Sequence, residues 1–195
     1  MEYFFNKRNA SDLHLAVELF QQATTKDPNY ARAYAGLADA YALMPGYTAE
    51  ASGQWMPQAR AAALKALQID PNLPEAHTAL ALIVQAYDWD WKTAEKEFRR
   101  AIELDPNYAT AHHWYAEHLM WQGRFDEALQ ESERARQWTL SPLIIAADNG
   151  AILYFSRKYD PAIEKWRSVL RESPASRICF TVSASPSNLS LRGYR

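Results

Sequence analysis

Cysteine occurs once in the 195 residues, at Cys179. A single thiol excludes an internal disulfide framework and leaves the redox compartment unmarked. Long apolar runs are missing too. None approaches the roughly 18 residues of a membrane span, and Met1-Glu2-Tyr3 lacks the basic start and apolar core of a secretory leader. No membrane association is expected, and a cytoplasmic location is the default. Neither sign of charge is in large excess: 21 Lys and Arg stand against 23 Asp and Glu, for a net charge of −2. That balance provides no field to recruit nucleic acid. Also absent are a glycine-rich phosphate loop and a nucleophile elbow, since Ser11, Ser132 and Ser156 all lie outside such a context. What is abundant is apolar surface: 48 % of residues are hydrophobic, with seven Trp and eleven Tyr, enough to bury a continuous core.

The stretch 105–128, DPNYATAHHWYAEHLMWQGRFDEA, organises the rest of the chain. Pro106 ends the helix before it, because proline lacks an N–H and clashes with the preceding turn. Nothing breaks a helix from Tyr108 to Trp121, and Gly123 is placed to close it in the left-handed conformation. Phe125-Asp126-Glu127 opens the next helix, with acids where the helix dipole favours them. The unit is a helix–turn–helix hairpin.

Small residues repeat this unit in three columns. Ala59, Ala94, Ala128 and Ala162 form one, and Ala66, Ala101, Ala135 and Val169 another, each with steps of 35, 34 and 34 residues. The third is Ala38, Ala81, Ala116 and Gly150, with steps of 43, 35 and 34, so the turn of one hairpin carries an insertion. Small side chains at fixed places let two helix backbones cross closely. A period near 34 with two helices per period points to a solenoid of stacked hairpins.

At these residues the chain resembles the tetratricopeptide repeat family. Tyr34, Leu37, Ala38, Tyr41, Ala59, Ala66 and Pro71 carry the family pattern, as do Leu80, Ala81, Ala94, Phe98, Ala101 and Pro106. Tyr115, Ala116, Gly123, Phe125, Ala128 and Ala135 repeat it, and the last unit keeps Gly150, Tyr159, Ala162, Trp166 and Pro174. Departures are His77 and His112 at the leading aromatic, Asn149 at the leucine, Val169 at a small position and Leu140 where proline is expected. The resemblance covers residues 11–174 and implies an all-α fold, a right-handed solenoid of antiparallel helix pairs. The wording YDWDW and AIELDPNYATAHHWYAEHLMWQGRFDEA also resembles the repeat regions of bacterial signalling proteins, which follow winged-helix regulator, kinase or cyclase domains.

The expected organisation is an N-terminal partial-repeat helix within residues 1–29, then four helix pairs at 30–71, 74–106, 108–140 and 143–174. Tyr3-Phe4-Phe5 reads as an apolar remnant or staple. A helix over Tyr30–Met44 is expected to stop before Pro45-Gly46, with 45–53 as the inserted loop and Ala62 on an exposed face of the helix that follows. Asp90 caps the helix that starts at Trp91, and Asp160-Pro161 reads as a cap with a first-turn proline. Residues 175–195 hold no Asp or Glu and leave the repeat. They read as a disordered tail, or as a reading-frame or gene boundary foreign to the array. The second is favoured because the pattern stops mid-repeat at both ends.

His112, His113, Glu117 and His118 form the one cluster that suggests an enzyme. His113 and Glu117 share a helix face at four-residue spacing. The pattern lacks the paired histidines with an intervening Glu of a zinc hydrolase. A surface pair beside a packing ring is the better reading, and neither metal, cofactor nor catalytic residue is expected. Asp88 and Asp90 around Trp89 read as capping rather than acid–base chemistry.

In tetratricopeptide arrays the first helices of the pairs line a concave groove that holds peptides, so the resemblance implies a protein or peptide partner. Stripes at helical spacing place Arg32 and Asp39 on that face of the first pair. Glu75, Thr78 and Gln85 take it in the second, His113, Glu117, Met120 and Trp121 in the third, and Tyr154 and Phe155 in the fourth. The groove is expected to run from polar and charged to aromatic and apolar. Some family members hold acidic chaperone tails with a lysine and asparagine clamp, but Ala35 and Asp39 occupy those places here. The expected function is a protein–protein interaction scaffold. The alternative is a sensor or regulatory repeat region detached from a larger bacterial signalling protein, without activity of its own.

Overall fold

The computed structural model describes residues 10–48, 51–139 and 142–172. Tyr3-Phe4-Phe5, Leu140 and the 175–195 segment lie outside the described residues. Among the described residues all regular structure is helical: α1 (Ala10–Lys26), α2 (Ala31–Tyr47), α3 (Ser52–Ile69), α4 (Pro74–Ile83) continued by a π-turn at Val84–Asp88, α5 (Trp91–Leu104), α6 (Ala109–Trp121), α7 (Phe125–Trp138), α8 (Pro142–Phe155) and α9 (Tyr159–Glu172). The chain divides into two compact units, one reaching Tyr115 and the other starting at Ala116.

In the N-terminal unit α1 packs on α2, α2 on α3, α3 on α4 and α4 on α5, while α2 also lies against α4. The link between successive pairs is the same turn each time. Asp27, Asp70 and Asp105 each accept, through Oδ1, the N–H of the asparagine two residues on, at 2.9, 3.0 and 2.9 Å. The intervening proline removes the donor that would have prolonged the helix. The histidines at the leading aromatic position serve this turn: His77 Nε2 meets the Pro71 carbonyl at 3.0 Å and His112 Nε2 meets that of Pro106 at 2.9 Å.

In the C-terminal unit α7 packs on α8 and α8 on α9. Trp166 lies against Gly150, where a Cβ would stand 2.3 Å from its indole nitrogen. That nitrogen donates to the Ala147 carbonyl at 2.9 Å. Glycine is therefore required there by contact rather than by backbone conformation. All three small-residue columns are buried across both units, from Ala38 to Val169.

Among the described residues three hold left-handed backbone, at a constant interval of 34 residues: Trp89 (φ 59), Gly123 (φ 76) and Arg157 (φ 64). At Gly123 and Arg157 the next residue closes the helix by reaching back five places, Arg124 N–H to Leu119 O and Lys158 N–H to Leu153 O, each 2.9 Å. At Trp89 the next residue, Asp90, reaches back six places to Val84 O at 3.4 Å. The difference is the π-turn. Ala81 precedes Trp89 by eight residues, whereas Ala116 precedes Gly123, and Gly150 precedes Arg157, by seven. The step of 35 in every column therefore comes from one additional residue, taken up within Val84–Asp88.

Three sequence expectations need correction. The α2 helix continues through Pro45 to Tyr47, and the Thr48 N–H closes it on the Met44 carbonyl at 2.9 Å. A proline in the last turn forfeits a single backbone bond there, too little to stop the helix three residues early. Helix α9 begins at Tyr159, so Asp160 and Pro161 sit inside its first turn rather than capping it. Ala62 is buried, because α3 is packed by both α2 and α4. Asp90 caps α5 as expected, accepting from the Thr93 N–H at 3.0 Å and its hydroxyl at 2.6 Å.

Candidate functional site

The N-terminal unit packs the first helices α2 and α4 against each other. Ala35, Ala66, Leu73 and Ala76 form an apolar cluster among α2, α3 and α4 that holds this arrangement. Arg32 is exposed and its Nε lies 3.5 Å from Glu75 Oε1. Asp39 is 7 % exposed, and its Oδ1 has no hydrogen-bond partner; neither has the buried Glu75 Oε2. Burial, and then the nearby Glu75 charge, push the Asp39 carboxyl up to about 8. Thr78 is fully buried and donates to the Pro74 carbonyl at 2.9 Å. Gln85 is buried within the π-turn. His113 is likewise buried, stacked on Trp114 at 4.8 Å between ring centroids, and is not the surface residue the sequence suggested. A cavity of about 620 Å³ lies elsewhere on this unit, lined by His77 and charged residues of α5.

In the C-terminal unit Trp121 and Phe155 are 55 % and 41 % exposed, with ring centroids 5.4 Å apart. Tyr154 stands edge-on to Phe155 at 5.7 Å and lies 5.9 Å from Trp166. The aromatic contacts therefore run from the Trp166 core position out to solvent. Met120 is buried and Glu117 half-buried. Asp148, which the sequence reading did not single out, brings a carboxylate oxygen to within 4.8 Å of Glu117. A signal existed, since Asp148 is the one charged residue of α8, in PLIIAADNGAILYF.

Comparisons with known proteins agree with the paired helices, the buried small-residue columns and the recurring left-handed stop. The tetratricopeptide repeat model matches residues 90–142. The chain carries tetratricopeptide repeats. The type IV pilus assembly protein PilF of Pseudomonas aeruginosa is 39 % identical over 85 residues, which is 44 % of this chain and 33 % of PilF. Its solved structure superposes with a TM-score of 0.63 at 26 % identity, over 78 % of this chain and 67 % of that one. The transcriptional regulator HilA of Salmonella typhimurium is 29 % identical over 125 residues, 64 % of this chain and 22 % of HilA. YrrB, described as a tetratricopeptide repeat protein with an unusual peptide-binding site, superposes with a TM-score of 0.57 at 18 % identity, over 92 % and 94 % of the two chains. The chain thus spans a third or less of the curated relatives it matches. No helix among the described residues is long and apolar enough to cross a membrane.

Proposed function

We propose that this chain is a non-enzymatic scaffold that binds a segment of a partner protein on the faces of its first helices. The observation that carries this is the solvent-facing aromatic pair Trp121–Phe155. Exposed aromatics seated on rigid helices are the usual energetic anchors of an interface, while charges at the rim set orientation and association rate. Arg32, Glu75 and Glu117 are the charged groups available for that second task. YrrB's peptide-binding site supports a peptide as the bound form. Pull-down of the full chain with mass spectrometry supplies a partner for the test. Trp121→Ala is expected to weaken its binding by more than about 1 kcal/mol. Glu131→Ala, on the second helix α7, is expected to leave binding unchanged. The reverse pattern would move the interaction to the second helices.

The match to HilA favours a second reading, in which these repeats are the regulatory region of a longer signalling polypeptide. The genomic sequence before Met1 and beyond Pro174 tests it: a regulator, kinase or cyclase domain in frame supports it, and flanking genes in other frames refute it.

A further inference from the structure

Asp39 stands on α2 and Glu75 on α4, two helices packed against each other. Two of their oxygens, Asp39 Oδ1 and Glu75 Oε2, are buried and accept nothing. Arg32 approaches the pair from solvent but touches the other Glu75 oxygen. It lies seven residues before Asp39, about 10 Å along α2. The hydroxyl of Thr78, on α4, donates to Pro74 O instead. A buried oxygen without a partner needs an explanation, and a donor brought by a ligand supplies one. Access exists on the Glu75 side, where the side chain is 27 % exposed.

We propose that Asp39 and Glu75 form the seat for one arginine side chain of the partner segment, its forked N–H donors reaching the two inner oxygens. This deepens the first-helix reading and rests on it. A guanidinium suits the seat better than an ammonium because it is planar, forked and weakly hydrated, and it stays charged across the accessible pH range. Arg32 already sets a guanidinium against the outer Glu75 oxygen. The exchange balances in protons. In the free protein at pH 7 the Asp39 carboxyl, pushed up to about 8, carries its proton. The incoming cation favours the carboxylate, and the proton leaves to solvent as the arginine enters. Facing Asp39, α4 presents Glu75 and α2 presents Arg32 at its far end, and among the described residues Glu75 supplies the charge that acts on Asp39.

The test is a titration of the full chain with acetyl-Gly-Arg-Gly-amide, followed by carboxyl-carbon NMR, with the citrulline peptide as neutral isostere. The arginine peptide is expected to move the Asp39 and Glu75 signals, and the citrulline peptide to leave them. Affinity should rise roughly tenfold or more from pH 6.5 to 8.5, since ionisation of Asp39 is linked to binding. Asp39→Asn, close in shape to the protonated acid, should abolish that pH dependence with the helical circular dichroism preserved. Glu75→Gln should weaken binding, and Glu131→Ala, on the second helix α7, should retain it. Equal responses to both peptides would overturn the proposal. So would unchanged binding by Asp39→Asn, a loss in Glu131→Ala as complete as in Asp39→Asn, or a response to calcium alone with arginine silent. If the arginine peptide fails while a recovered partner still depends on Trp121, the seat falls and the first-helix reading stands. If Trp121 also proves dispensable, both fall.

Discussion

Trp89, Gly123 and Arg157 adopt one backbone conformation with three different side chains. A left-handed residue other than glycine costs about 1–2 kcal/mol. A Cβ at Gly123 would meet nothing within 4 Å, so Gly123→Ala isolates that backbone cost. It is expected to lose about 1 kcal/mol in urea unfolding, whereas Arg157→Gly should lose nothing and gain up to about 1 kcal/mol. Asp39 gives a second prediction. Its folded-state value lies above the ordinary carboxylate range, so between about pH 4 and 8 the folded state holds a proton that the unfolded state has released. Stability from this group is full below the unfolded value and falls as pH rises towards 8. Asp39→Asn should remove that part of the slope, read from urea midpoints at pH 5, 6.5 and 8. The sequence placed Asp39 on the same helix stripe as Arg32 but not out of water. Burial depends on how closely α2 and α4 approach, and that distance is set by alanines on three helices at once.

Among the elements, hairpins were the legible unit, because each small-residue column records a place where two backbones must come close. Ala128 is fully buried and Ala61 exposed. Ala128→Leu is therefore expected to lower stability by about 1–3 kcal/mol through overpacking, against little change for Ala61→Leu. Equal melting shifts would refute the register. Helix ends were less legible. Pro45 and Asp160 carry strong local signals, yet a turn at either end of a helix is decided by single hydrogen bonds worth about 1 kcal/mol. The π-turn left its trace in the steps of 35, but spacing alone does not say which segment absorbs the extra residue. Ala86 is exposed within that turn. Its deletion should convert the turn to α-helix with a small change in melting temperature, whereas deletion of the buried Ala81 should abolish cooperative unfolding.

At the scale of the molecule, the chain has two compact units rather than one indivisible core. In repeat proteins each hairpin draws its stability from itself and its immediate neighbours. The consequence is local failure: hydrogen exchange on Ala128→Leu should show faster exchange in α7–α9 with protection in α1–α4 retained. The two candidate surfaces follow the same division, an acidic pair on one unit and an aromatic pair on the other. Trp121 and Phe155 were legible as exposed aromatics because each is the last residue of its helix, next to a turn that leaves few ways to cover it. Asp148 was not, because its approach to Glu117 joins residues far apart in sequence.

The extra residue in α4 also bears on how a gene for such a protein changes length. A three-nucleotide insertion in a packed helix would ordinarily rotate every later side chain by about 100° and misplace the next hairpin. Here the wider turn takes up the rotation before Trp89, and every later alanine keeps its place. A helix of this array can thus hold one residue more than its neighbours while the packed columns beyond it keep their register.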